Sequence, residues 1–213
     1  LMSEGQTDAT INDIDYFHGC SSGYSIRPNG FPELFRYTFP ELIATQRNPN
    51  PMITVEEANF ALISGLRHEI ECRYPSDVKY LLEGTIPSEE DYADIYSPPE
   101  VGKIKQLPSW KATAYVRELI GFENSHAEFF RTGKFIAREG IHVSGDDIEA
   151  NGFIKSNRIG VAVWNKNSKE KRSYSINVPG YHLVKASEPG KTEVNLTSPL
   201  DANSIRLLIY EKQ

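Results

Sequence analysis

The sequence predicts an α/β half followed by an all-β half. Strand-like and helical segments alternate up to residue 132, the pattern of parallel α/β architecture. From residue 133 onward each segment is short, alternates in polarity and closes on a turn, as in an antiparallel β-sandwich. With 213 residues, 39% hydrophobic and 24% charged, the chain has the length and composition for one large globular domain or two small ones. The expected division is 1–132 and 133–213.

Taken in order, "LMS" (1–3) reads as the tail of a strand that delivers Glu4 to a turn at Gly5. "DATINDIDYF" (8–17) is expected to be helical, with Ile11 and Ile14 on its apolar face and an acidic face beside it. A loop rich in glycine and serine follows. "LFRYTF" (34–39) has the bulky, aromatic content of a strand and is closed by Pro40, and "NPNP" (48–51) reads as a breaker. Thr54 and Glu57 have the spacing of a capping box and open a helix that Gly65 ends. "LRHEIECRY" (66–74) fits either an extended piece or a further helical turn, and 75–84 and 87–96 look like outer helical turns. The longest helical pattern covers 107–133. Its stripe of Tyr115, Val116, Leu119, Ile120 and Phe122, followed by Phe129 and Phe130, is the spacing of core packing and not of a cofactor box.

Short strands are then expected in "KFIAR", "IHV", "IEANGFIKS", "RIGVAVWNK", "RSYSINV", "YHLVKA", "TEVNL" and "SIRLLIYEK". Alternation puts Val161 and Val163 on one face of their strand with Ala162 and Trp164 on the other. Likewise Ile205, Leu207 and Ile209 share a side, opposite Arg206, Leu208 and Tyr210.

The α/β half holds only two or three strand–helix units, whereas a (β/α)8 barrel takes about 250 residues to close. An unclosed barrel leaves strand edges bare. Residues 1–132 are therefore expected to be the last strand–helix units of such a barrel, with the antiparallel β-sandwich after them. The partner this implies is the missing N-terminal part of the same protein, upstream of Leu1.

Composition excludes other classes. A net charge of −6 and a pI near 5.5 argue against nucleic acid or an anionic membrane surface as partner. No apolar run approaches the roughly 20 residues that cross a bilayer. Cys20 and Cys72 have neither metal nor redox spacing and are read as free thiols. His18, His126, His142 and His182 share no ligand-like spacing, and Asp146-Asp147 reads as a turn pair. No metal and no cofactor are expected.

"SEGQTD", "GFPELFRYTFPE", "EEANFALISGLRHEIE" and a β tail containing "GVAVWN" together resemble the end of a bacterial glycoside hydrolase. The type resembled has a TIM-barrel catalytic domain followed by an antiparallel β-sandwich. The resemblance covers nearly the whole chain and marks a clan more than one family. It implies a carbohydrate substrate cleaved by two carboxylates, one the acid and the other the nucleophile or base. Barrel enzymes carry such groups at the carboxyl ends of strands. Glu4, after Leu1-Met2, fits either role. Its partner is Glu41, after the expected strand at 34–39, or a carboxylate on an earlier strand outside this chain. Arg36, Tyr37, Tyr16 and Arg67 are the expected sugar-binding residues, the tyrosines as flat stacking platforms. Arg67, His68, Glu69 and Glu71 form a polar cluster that either lines the sugar site or makes surface ion pairs. The alternative is a non-catalytic carbohydrate-binding or structural β-sandwich beside an inactive scaffold half. It calls for an exposed aromatic row, for which Trp164, Tyr174 and Tyr181 are the candidates.

Overall fold

In the computed structural model, residues 2–3, 16–17, 36–49, 54–71, 109–191 and 194–213 are described. The expected helical turns at 75–84 and 87–96, both cysteines and Glu4 lie outside them. Mixed helix and sheet is observed, in a parallel sheet and a larger antiparallel one.

The parallel sheet has β1 (Met2–Ser3), β2 (Tyr16–Phe17), β3 (Ile43–Pro49) and β4 (Arg67–Glu71), side by side in chain order. Every neighbouring pair is parallel, with Met2 opposite Tyr16, Tyr16 opposite Ile43 and Thr45 opposite Arg67. Helix α1 (Val55–Ile63) makes the crossover from β3 to β4. Its capping box is present in full: the Glu57 N–H donates to Thr54 Oγ1 at 3.1 Å and the Thr54 N–H to Glu57 Oε2 at 3.2 Å. At the other end Leu66 N–H donates to Ala61 O and Gly65 N–H to Leu62 O, the paired bonds of a Schellman motif. Gly65 supplies the left-handed residue that this motif needs, with φ +73°.

Three expectations in this half are corrected. Tyr16 and Phe17 belong to a strand, not to the end of a helix. Residues 36–38 are helical, and the strand begins only at Ile43. Pro40 disfavours helical backbone at Phe39 and so ends the helical turn early. The buried Arg36 then fixes the crossing: its Nε donates to Gly65 O at 3.0 Å and its Nη1 to the Phe39 and Leu42 carbonyls. Asn48 and Pro49, expected as a breaker, complete β3 opposite Ile70 and Glu71. A proline is tolerated at a strand's end, where a missing donor costs least.

Helix α2 (Ser109–Ser125) and the short α3 (Ala127–Phe130) lead into the antiparallel part. There β5 (Lys134–Ala137), β7 (Ile148–Lys155), β8 (Arg158–Asn165), β10 (Tyr181–Ser187) and β11 (Ile205–Lys212) form one sheet in the order β10-β11-β8-β7-β5. A separate ribbon pairs β6 (His142–Ser144) with β9 (Ser175–Asn177). No strand occurs at 194–196, where "TEVNL" had been expected to continue one.

The predicted alternation of β8 and β11 decides the layering. Ala162, Trp164, Ile205, Leu207 and Ile209 pack with Leu62, Val116, Leu119, Phe122 and Phe129 from the helices. Val161, Val163, Leu208 and Tyr210 face the other way, where Val143 and Ile176 of the ribbon meet them. Helices thus cover one face of the sheet and the ribbon covers the other. The helix–sheet cluster runs straight across residue 132. Gly160 permits its tightest approach, since a Cβ there would stand 2.7 Å from the Phe129 ring.

Candidate functional site

Because all four strands of the parallel sheet run the same way, it has one carboxyl edge and one amino edge. Ser3, Phe17, Pro49 and Glu71 end the strands on the carboxyl side. Glu4 is the next residue in the chain after Ser3. Tyr16 holds a register position between Met2 and Ile43. Toward the same edge Arg47 is opposite Glu69, and Pro49 is opposite Glu71.

The other expected site residues gather elsewhere. Glu41 precedes β3, so it sits exposed on the amino side and cannot share the carboxyl edge. Its assignment depended on a strand at 34–39, which is not there. Arg36 is consumed by backbone carbonyls, as described. Tyr37 is exposed and donates its hydroxyl to Glu139 Oε2 at 2.8 Å, and that bond to a carboxylate pushes the phenol pKa up. Arg67, the first residue of β4, donates from Nη2 to Arg131 O at 3.2 Å. Burial first, and the Arg131 cation second, lower its pKa from the usual value. Arg36, Glu41 and Arg67 border a cavity of about 20 Å3, closed by Phe130 and Arg131. Such a space suits a single water, not a sugar ring.

The polar cluster of β4 divides between the two faces of the strand. His68 is on the helix side, fully buried against α1 and α2. Its Nδ1 makes a short contact with the Glu123 carboxylate, and its Nε2 lies 2.7 Å from Ala58 O. A carbonyl only accepts, so Nε2 carries a proton. Burial alone would lower the imidazole pKa, but the Glu123 charge and these hydrogen bonds outweigh it and raise the value. Arg67, the neighbouring residue, takes the other face of the strand and reaches Arg131 O. Glu123 was missed in the sequence, although it stands four residues after Leu119 on the buried stripe. A carboxylate at such a position signals a buried partner.

The aromatic row that a sugar-binding sandwich calls for does not form. Trp164 is buried in the helix–sheet core and donates Nε1 to Asn203 Oδ1 at 3.1 Å. Tyr174 lies against the Arg206 guanidinium and bonds it, and Tyr181 packs on the ribbon side. Among the described residues, the exposed large apolar side chains are Tyr37, Val184 and Leu196, which do not make an aromatic platform. No group of three or more histidine, cysteine, aspartate or glutamate side chains fit to hold a metal is found among the described residues. Among those same residues, no helix is long and apolar enough to cross a membrane.

Neither a comparison with protein-family models nor one with curated proteins finds a match for this chain.

Proposed function

We propose that the chain supplies the last staves of a (β/α)8 barrel in a glycoside hydrolase, with the remaining staves outside these 213 residues. The observation that carries this reading is the parallel sheet itself. Its strands lie in strict chain order, and a helical crossover joins β3 to β4. That is the order in which a barrel is built, and barrel chemistry is placed at the carboxyl edge. Glu4 follows the end of β1 directly, and Glu71 is the last residue of β4. In a closed eight-stranded barrel, strands four apart are diametrically opposite, and strands three apart still have the lumen between them. Two carboxylates in such positions can flank a glycosidic bond, one donating a proton to the leaving oxygen while the other attacks or activates water.

The packing of Trp164 and Tyr174 weighs against the non-catalytic binding module. In this reading the antiparallel sheet braces the catalytic half through α1 and α2. The test is Glu4→Gln in the intact protein, assayed on a panel of aryl glycosides with circular dichroism as the folding control. Turnover should fall by roughly 10²–10⁴-fold with the fold unchanged. Glu71→Gln should do the same. Undiminished turnover in both variants overturns the assignment of these carboxylates.

A further inference from the structure

A cleft of about 550 Å3 opens between one face of α2 and the outer strand β10. Its size falls within the range of small-molecule sites, roughly 300–1,000 Å3. Glu118, Phe122, Ser125 and His126 line it from the helix, with Lys185, Glu188 and Lys191 opposite. Gly121 leaves it open, since a Cβ there would meet nothing within 4 Å.

The charges in this cleft cancel. Lys185 and Lys191 balance Glu118 and Glu188, and the groups behind them are paired as well. Buried Glu188 accepts from Arg206 Nε at 2.7 Å and contacts Lys191 Nζ at 2.5 Å, and Lys191 also reaches Asp201 at 3.1 Å. A balanced site does not attract an ion of either sign. It does offer both donors and acceptors. Among the described residues, Glu118 and Lys185 have no ion-pair partner. His126 Nδ1 lies 3.0 Å from Phe122 O and must carry the ring proton, which leaves Nε2 as a free acceptor. Burial, and then the nearby Lys185, lower the pKa of this histidine and keep it neutral in that tautomer, despite the opposing pull of the Phe122 carbonyl. Because β10 is an edge strand, alternate backbone groups along Lys185–Ser187 are not taken by a neighbouring strand. The Phe122 and His126 rings, with centroids 4.5 Å apart, give an apolar floor.

We propose that this cleft is a binding site for a neutral, hydroxyl-rich small molecule such as a mono- or disaccharide or a cyclic polyol. A hydroxyl group both donates and accepts, so a polyol ring can use Lys185 Nζ, Glu118 and His126 Nε2 together, with its C–H face on Phe122. The proposal draws on neither of the two carboxylates assigned above and does not rest on the hydrolytic reading.

The test is a titration of the isotopically labelled 213-residue chain with glucose, maltose, cellobiose and myo-inositol, and with inorganic phosphate as the charged comparator. At least one neutral probe should give saturable shifts of the Gly121, His126, Lys185–Glu188 and Gly190 amides and of His126 Nε2. Phosphate should give none. Glu118→Ala combined with Lys185→Ala, both exposed positions, should weaken binding at least tenfold without moving the urea midpoint. Glu4→Gln should leave binding unchanged, so the outcome is independent of whether the chain takes part in hydrolysis. The proposal is overturned if none of the four neutral probes produces saturable shifts, if phosphate perturbs the same amides, or if the double variant binds as before.

Discussion

His68 and Glu123 meet across 55 residues of sequence inside the layer where β4, α1 and α2 come together. Arg67 approaches the same carboxylate, and Arg131 approaches Arg67, so the pair lies in a field of two cations and one anion. The folded pKa of His68 is raised above its unfolded value. Its contribution to stability is therefore complete below about pH 6.5, the unfolded value, and is lost as pH rises through the higher folded value. Urea midpoints measured from pH 5 to pH 9 should decline across that window, and His68→Gln should flatten the decline. Glu123→Ala strands a buried imidazole and should cost about 3–5 kcal/mol in the same assay at pH 6. In the sequence His68 belongs to a polar cluster, and Glu123 is a single carboxylate on an apolar stripe. That they are partners is not legible there, because nothing local brings position 68 to position 123. Glu41 shows the reverse case. Its type and setting suited catalysis, and only the true start of β3 moved it to the wrong edge.

Helix α1 was legible from end to end because its signals are local. Thr54 and Glu57 satisfy each other's backbone within one turn, and Gly65 closes the other end at positive φ. Gly65→Ala would force a Cβ into left-handed backbone and to within 2.9 Å of the Phe135 ring. Thermal and urea unfolding should show a loss of more than about 1 kcal/mol, whereas Thr54→Ala should cost about 1 kcal/mol through the cap alone. β8 and β11 were legible for a similar reason, since a period of two fixes which residues share a face. β3 was not. "LFRYTF" has more of the bulky residues that strands favour than "IATQRNP", yet the second is the strand. Pairing with β4 and the Arg36 bonds to Phe39, Leu42 and Gly65 decide the matter, and strand propensity yields to such tertiary context.

Across the whole molecule, the composition changes near residue 132 but the core does not divide there. Asn59 of α1 donates to Asn203 O at 2.8 Å and accepts from the Tyr115 hydroxyl at 2.6 Å, while Asn151 of β7 donates to Ile63 O at 2.9 Å. Leu62, Val116 and Phe129 cover the sheet's apolar face along the same seam. A chain limited to residues 133–213 would expose Phe135, Phe153, Trp164 and Leu207. Such a patch drives association, so that shortened chain should bind a hydrophobic dye and aggregate. A monomeric, cooperatively melting product in sedimentation and calorimetry would refute the shared core.

The seam also constrains how the chain can drift. Phe129 occupies the space that a side chain at position 160 would need, so the two sites cannot vary independently. Relatives that carry alanine or serine at 160 should carry a smaller residue at 129, and those that keep the phenylalanine should keep the glycine. Introducing Gly160→Ala together with Phe129→Leu should recover stability that Gly160→Ala alone loses, a compensation visible as non-additive melting shifts.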